Sequence, residues 1–222
     1  MIKLFLIITF LTNSVFAMQV SPIKIYLNQK EKIQNLNITN NTNKTKTYQN
    51  TLYKWDVDIN GKSIITPTTP IEIMSSPLIY TLKPNETKSL KIGKMIIKNN
   101  NPENFRIIVK DITPSNKKGV SIKMASSIPI FVSHKSSKKD KNLIKTKYEK
   151  SIDEISIEIE NQSNVFQEIS EINFNNKFIN KIHYYLLPNK KIKLKFDLNQ
   201  KEKYKEYRLK FLNGIEIKKE IK

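Results

Sequence analysis

The sequence predicts an all-β fold made of immunoglobulin-like sandwiches, and three observations predict it. Short apolar runs alternate with polar residues at period two, turn residues recur at intervals of about ten, and no long helix is written in the chain. Leu36 and Ile38, then Tyr53, Trp55 and Val57, then Leu90 and Ile92, then Phe105, Ile107 and Val109 each form one apolar face. A half-buried antiparallel strand requires such a face, because successive side chains point to opposite sides of a sheet. Asn60-Gly61, Pro84-Asn85, Asn100-Asn101-Pro102 and Lys118-Gly119 supply the turns between these runs.

The N-terminus reads as a secretory signal peptide over residues 1–17. Lys3 gives a positive start, Leu4 to Leu11 an apolar run, and Ser14-Val15-Phe16-Ala17 a small-residue cleavage site. The run is shorter than the roughly 20 residues that cross a bilayer, so membrane insertion is not expected. The mature chain starts near Met18 and has about 205 residues, enough for one large sandwich or two domains of about 100 residues each.

The chain has no cysteine, which excludes thiol chemistry and cysteine-ligated metals and leaves stability to burial and strand pairing. Lys and Arg total 39 against 20 Asp and Glu, a formal charge of +19. Such a balance attracts polyanions, acidic proteins or anionic lipid. Lysine is nevertheless spread along most of the mature chain, as general compositional bias would leave it, and export argues against a nucleic-acid partner.

From His134 to Lys150 the alternation lapses into a polar, charge-rich interval, which sets a domain boundary between a first domain, 18–134, and a second, 135–222. The second domain alternates again through Ile155, Ile157 and Ile159, through Phe174 and Phe178, through Ile192, Leu194 and Phe196, and through Tyr207, Leu209 and Phe211. Lys141 to Lys150 and Gln200 to Tyr207 are lysine-rich and compatible with partial helix. Trp55, on an alternating strand, is expected in a core. His134 and His183 have no ligand cluster around them, Asp56 and Asp58 read as solvated edge charges, and no nucleophile elbow, phosphate loop or zinc-helix motif occurs. Neither an enzyme, a metal nor a cofactor is expected.

Read in order, the first domain carries Val20-Ser21-Pro22-Ile23-Lys24-Ile25, Leu36-Asn37-Ile38-Thr39-Asn40, Tyr48-Gln49 leading to Trp55, Ser76-Pro77, Leu82-Lys83-Pro84-Asn85 and Ser89-Leu90-Lys91-Ile92. Phe105-Arg106-Ile107-Ile108-Val109-Lys110-Asp111-Ile112 and Ile128-Pro129-Ile130-Phe131-Val132 complete the series. In this order they resemble the periplasmic pilus-assembly (chaperone/usher) chaperone family over most of residues 19–133. Glu160-Asn161 and Tyr185-Leu186-Leu187-Pro188 extend the likeness into the second domain.

The resemblance implies two immunoglobulin-like β-sandwich domains around a cleft. It also implies a strand lent to a pilus subunit whose own sandwich lacks its last strand. Val120, Ile122 and Met124 fall on one face of that strand, Gly119 to Val132, as its apolar plugs, while Ile128, Ile130 and Val132 continue the parity into the home sandwich. Lys24 matches the basic residue that holds the subunit's terminal carboxylate. A second anchoring lysine is replaced by Pro129, as in a divergent branch of the family, and strand pairing is expected to break there. Lys91 and Asp111 are expected to form a structural charge pair near the domain junction, and Arg106 matches a position that is often basic or polar.

The partners implied are pilus subunits and an outer-membrane usher, with the free chain a periplasmic monomer. Two other readings remain open from the residues alone: an exported adhesive module using its basic surface, and a fibre subunit.

Overall fold

Alternating apolar residues fold into strands wherever the computed structural model describes the chain: residues 18–97, 102–114, 123–132, 141–151, 154–175, 177–180, 184–197 and 204–221. The first domain contains β1 (Gln19–Ser21), β2 (Ile25–Leu27), β3 (Ile33–Thr39), β4 (Lys46–Val57), β5 (Ser63–Pro67), β6 (Met74–Ser76), β7 (Ile79–Leu82), β8 (Thr87–Gly93), β9 (Glu103–Asp111) and β10 (Ala125–Val132). One sheet runs β1-β3-β8-β6 and the other β2-β10-β9-β4-β5, with β7 pairing on the first part of β4. Leu36, Ile38, Leu90 and Ile92 of the first sheet meet Tyr48, Phe105, Ile107, Val109, Ile128 and Ile130 of the second in one buried core. Burying a large apolar side chain is worth about 1.5–3 kcal/mol, so this layer holds the sandwich together.

Between β1 and β2 the chain changes sheets. β1 pairs antiparallel with β3, whereas β2 pairs parallel with β10 on the opposite layer. The expected inward parity of Ile128, Ile130 and Val132 is what the structure has: all three are buried.

The second domain contains β11 (Ile144–Lys150), β12 (Glu154–Asn161), β13 (Gln167–Phe174), β14 (Lys177–Asn180), β15 (Tyr184–Leu186), β16 (Lys191–Asp197), β17 (Glu206–Phe211) and β18 (Glu216–Glu220). Its sheets run β11-β12-β16 and β14-β13-β17-β18, with β15 also on β13. Ile155, Ile157, Ile159, Ile172, Phe174, Leu194 and Leu209 fill the space between them. The architecture is therefore two immunoglobulin-like sandwiches, and the position expected for their boundary lies outside the described residues.

Of the two lysine-rich stretches expected to be compatible with partial helix, the first is helical only at its start. Lys141–Leu143 forms a single 3-10 turn, after which β11 alternates Ile144, Thr146 and Tyr148 toward the core with Lys145 and Lys147 toward solvent. Lysines on an edge strand keep it from pairing with other chains, so their abundance there is compatible with a strand. Of the second stretch, residues 200–203 lie outside the described residues, and Glu206 and Tyr207 begin β17.

The two domains share one corner. Asn40, fully buried after β3, donates through Nδ2 to the carbonyls of Lys44, Leu82 and Lys83 at 2.8, 3.1 and 3.1 Å, and its Oδ1 accepts from the Thr42 N–H and hydroxyl. Asn161, fully buried at the end of β12, donates to Val165, Leu186 and Leu187 at 2.7, 3.1 and 3.2 Å and accepts from the Ser163 N–H and hydroxyl. Each corner continues into a Pro-Asn turn, Pro84-Asn85 or Pro188-Asn189, whose asparagine has φ of 61° or 55°. Asparagine visits that left-handed region more readily than most residues.

Asn40→Ala or Asn161→Ala would remove the buried amide that ties the corner's carbonyls to the Thr42 or Ser163 turn, five hydrogen-bond contacts in each case. Each substitution is expected to cost roughly 2–4 kcal/mol in urea unfolding, whereas Asn43→Ala on the exposed loop should change stability by less than about 0.5 kcal/mol.

Candidate functional site

β10 is paired on one side only over most of its length. Its antiparallel ladder with β9 runs from Ala125↔Lys110 to Val132↔Glu103, and the Asp111 N–H adds a bond to the Met124 carbonyl at 3.0 Å. On the other side β2 covers only Ile130, Phe131 and Val132. Among the described residues no strand pairs with Ala125–Pro129 on that side.

The Asp111–Met124 bond sets the phase of the backbone. In an antiparallel ladder hydrogen-bonded pairs alternate, so the even-numbered residues of β10 bond to β9, while Ala125, Ser127 and Pro129 turn their backbone groups to the open edge. The expected break at Pro129 is therefore corrected. The ladder passes through Pro129↔Arg106 without a register shift, because the N–H that proline lacks would have pointed away from β9. Of the expected plugs, Met124 is described and stands 45% exposed, while Val120 and Ile122 lie outside the described residues.

Lys24 lies immediately before β2 and, by the β2–β10 register, level with Pro129. Its ammonium forms an ion pair with Glu168 of β13 and lies 5.5 Å from the centre of the Tyr185 ring. Glu168 and Tyr185 are direct cross-strand partners, so they share the face that meets Lys24. Lys24, Tyr26, Phe131, Phe166 and Glu168 line a cleft of about 780 Å³ between the domains.

A second cation enters from β9. Arg106 is the cross-strand partner of Pro129 and hence on its face. Its Cζ sits 4.0 Å from the centre of the Trp55 ring and 5.9 Å from that of Tyr185, and Nη1 donates to Ser127 Oγ at 3.1 Å. Its Nε is buried without a hydrogen-bond partner among the described residues. Burial lowers the guanidinium pKa, with Tyr185 opposing, yet the group stays protonated at any physiological pH.

Residues 17–137 match the family described as pili and flagellar-assembly chaperone, PapD N-terminal domain, over more than half of the chain. The chain belongs to this family. No curated protein matches it in sequence. A chain in the crystal structure of the CsuC–CsuE chaperone–tip adhesion subunit pre-assembly complex, from the archaic chaperone-usher Csu pili of Acinetobacter baumannii, is similar at 19% identity. Its TM-score is 0.68, with 91% of this chain and 97% of that chain covered. A chain in the structure of Salmonella enterica SafA pilin with the SafB chaperone superposes with TM-score 0.63 at 13% identity, covering 93% and 97%. The E. coli chaperone DraB gives 0.62 at 15%, covering 93% and 98%. These likenesses show the fold.

In this chaperone-family protein Trp55 is buried, at 3% exposure, but not within the first domain's own sandwich. It packs against Phe131 and Tyr185, its ring 5.2 Å from Tyr185 at 84°, and its Nε1 donates to Ser63 Oγ at 3.0 Å. Along β4, Tyr48 and Asn50 face inward, so the apolar series Tyr53, Trp55, Val57 lies on the outer face, and the second domain covers its Trp55–Val57 end. Phe131 and Phe166 complete the seam, stacked at 3.6 Å and 9°. Asp56, expected to be solvated, reaches Lys190 across the seam at 2.7 Å, while Asp58 accepts the Asn60 and Lys62 N–H groups in the hairpin turn. Gly61, at φ +76°, lets that turn approach the second domain, since a Cβ there would lie 3.2 Å from the Tyr184 ring.

The expected Lys91–Asp111 pair is corrected. Lys91 is exposed on β8 in the opposite sheet, and the Asp111 carboxylate instead pairs with Lys46 Nζ at 2.8 Å and accepts the Thr113 N–H at 2.8 Å. Asp111 also stands at the far end of β9 from the seam, about 17 Å beyond Arg106 at strand rise. Burial alone would push its pKa up, but the bonds from Lys46 and Thr113 outweigh it and hold the carboxyl below the usual range. A depressed folded pKa adds stability that is present above the unfolded value of about 3.9 and is lost as pH falls through the lower folded value. Asp111→Asn is expected to cost roughly 1.5–3 kcal/mol at neutral pH and to remove that part of the acid transition in a pH series of urea melts.

Proposed function

We propose that this protein is a periplasmic chaperone that holds a pilus subunit by lending it the strand that ends in β10, and then passes it to an outer-membrane usher. The observation that carries this reading is the open edge of β10, which ends level with Lys24 and Arg106. An exposed strand edge is a template for pairing with another chain, and an incomplete sandwich is the partner that needs it.

The geometry gives the exchange a direction. A client strand added to the edge bonds to the outward groups of Ala125 and Ser127, and it cannot continue beyond Pro129, which offers no N–H and where β2 takes over the edge. Its end therefore meets Lys24 and Arg106. A client whose terminal carboxylate lies there runs parallel to β10. Charge-assisted bonds to that carboxylate are worth about 1.5–3 kcal/mol each when shielded. Val120, Ile122 and Met124 would each add about 1.5–3 kcal/mol when buried in the client's groove, less the cost of ordering the segment. The leader that the sequence predicts over residues 1–17 supports export, and Arg106 replaces the cation that Pro129 does not supply.

Co-expression with a full-length subunit tests this. Ile122→Asp is expected to leave the circular dichroism spectrum and melting temperature unchanged while reducing co-purified subunit at least about tenfold. Lys24→Ala and Arg106→Ala should each weaken capture about tenfold. Undiminished subunit with Ile122→Asp would contradict the reading, and capture that instead collapses with added salt would favour an adhesive basic surface.

A further inference from the structure

In the free protein the cation beside the open edge already holds a carboxylate, that of Glu168. The pair is shielded: the Lys24 side chain is 19% exposed and that of Glu168 only 6%. Both residues line the interdomain cleft, and Lys24 stands level with Pro129, where the open edge of β10 ends. The two belong to different domains, and Tyr185, the cross-strand partner of Glu168, adds a ring face to the same ammonium. An unpaired lysine in such a place would be costly, and the second domain supplies its counter-charge.

We propose that Glu168 is an intramolecular stand-in for the client's terminal carboxylate, a residue that competes for Lys24 and sets how selectively the cleft accepts a chain end. The inference rests on the reading above. A client carboxylate reaching Lys24 must displace Glu168 or sit beside it as a second negative charge, and either costs affinity. Arg106 makes its contacts with a hydroxyl and two aromatic rings, none of them a carboxylate among the described residues. It is the cation open to the incoming group first, and transfer to Lys24 follows only as Glu168 yields. Anions too weakly held to displace Glu168 are thereby refused.

The test compares the unaltered protein with Glu168→Gln, which keeps the side chain's shape and removes its charge. The probes are a short acetylated peptide of alternating valine and threonine with a free C-terminal carboxylate, and the same peptide as its C-terminal amide. Glu168→Gln is expected to bind the acid about tenfold more tightly and the amide equally. Unchanged or weaker binding of the acid would overturn the inference. On the unaltered protein, the carboxyl ¹³C resonance of Glu168 should shift on adding the acid and not the amide, and a resonance indifferent to both would also overturn it. Capture of full-length subunit by the unaltered protein, measured in parallel, separates the two failures. Capture without a gain in the variant defeats this inference alone, and absence of capture defeats the underlying reading as well.

Discussion

The arrangement depends on a parallel pairing that stops early. β2 bonds to β10 over Ile130–Val132 and then, read toward its own N-terminus, leaves the sheet to become β1 of the opposite layer. A longer β2 would have sealed the sandwich. Because the chain changes layers before Ile25, β10 keeps outward backbone groups at Ala125 and Ser127 with nothing of its own, among the described residues, to satisfy them. Proteins normally blunt such edges, and here Pro129 blunts only the inner limit of the opening.

The seam between the sandwiches gives that opening its chemistry. Outward-facing Trp55 and Phe131 of the first domain are covered by Phe166 and Tyr185 of the second, and the cations Lys24 and Arg106 emerge at the margin of this aromatic layer. Aromatic faces favour a cation, which helps keep Arg106 in place despite partial burial. Cross-domain pairs, Lys24 with Glu168 and Lys190 with Asp56, add to the apolar contact. Exposed pairs such as the second contribute little, so the aromatic layer carries most of the docking energy.

The strands were legible because period-two alternation is a local signal. Leu36, Ile38, Phe105, Ile107, Ile155 and Ile157 all lie where that signal puts them. Whether an apolar face looks into its own sandwich or onto a neighbour is not local, and so Trp55 reads as core yet serves the seam. Side-chain partners were the least legible. Asp111 selects Lys46 over Lys91 because β4 and β9 are neighbours in one sheet, a fact of topology and not of sequence spacing. Arg106 could have been found, as one of only two arginines in the chain, out of phase with buried Phe105 and Ile107. Its place opposite Pro129 requires the register.

Amide hydrogen exchange on β10, in the free protein and in complex with a subunit, reads the open edge directly. The N–H groups of Ser126 and Ile128 bond to β9 and should be protected in both states, whereas those of Ala125 and Ser127 should exchange freely in the free protein and become protected when the subunit binds. Slow exchange at Ala125 and Ser127 before any subunit is added, or no gain in protection afterwards, would contradict the account.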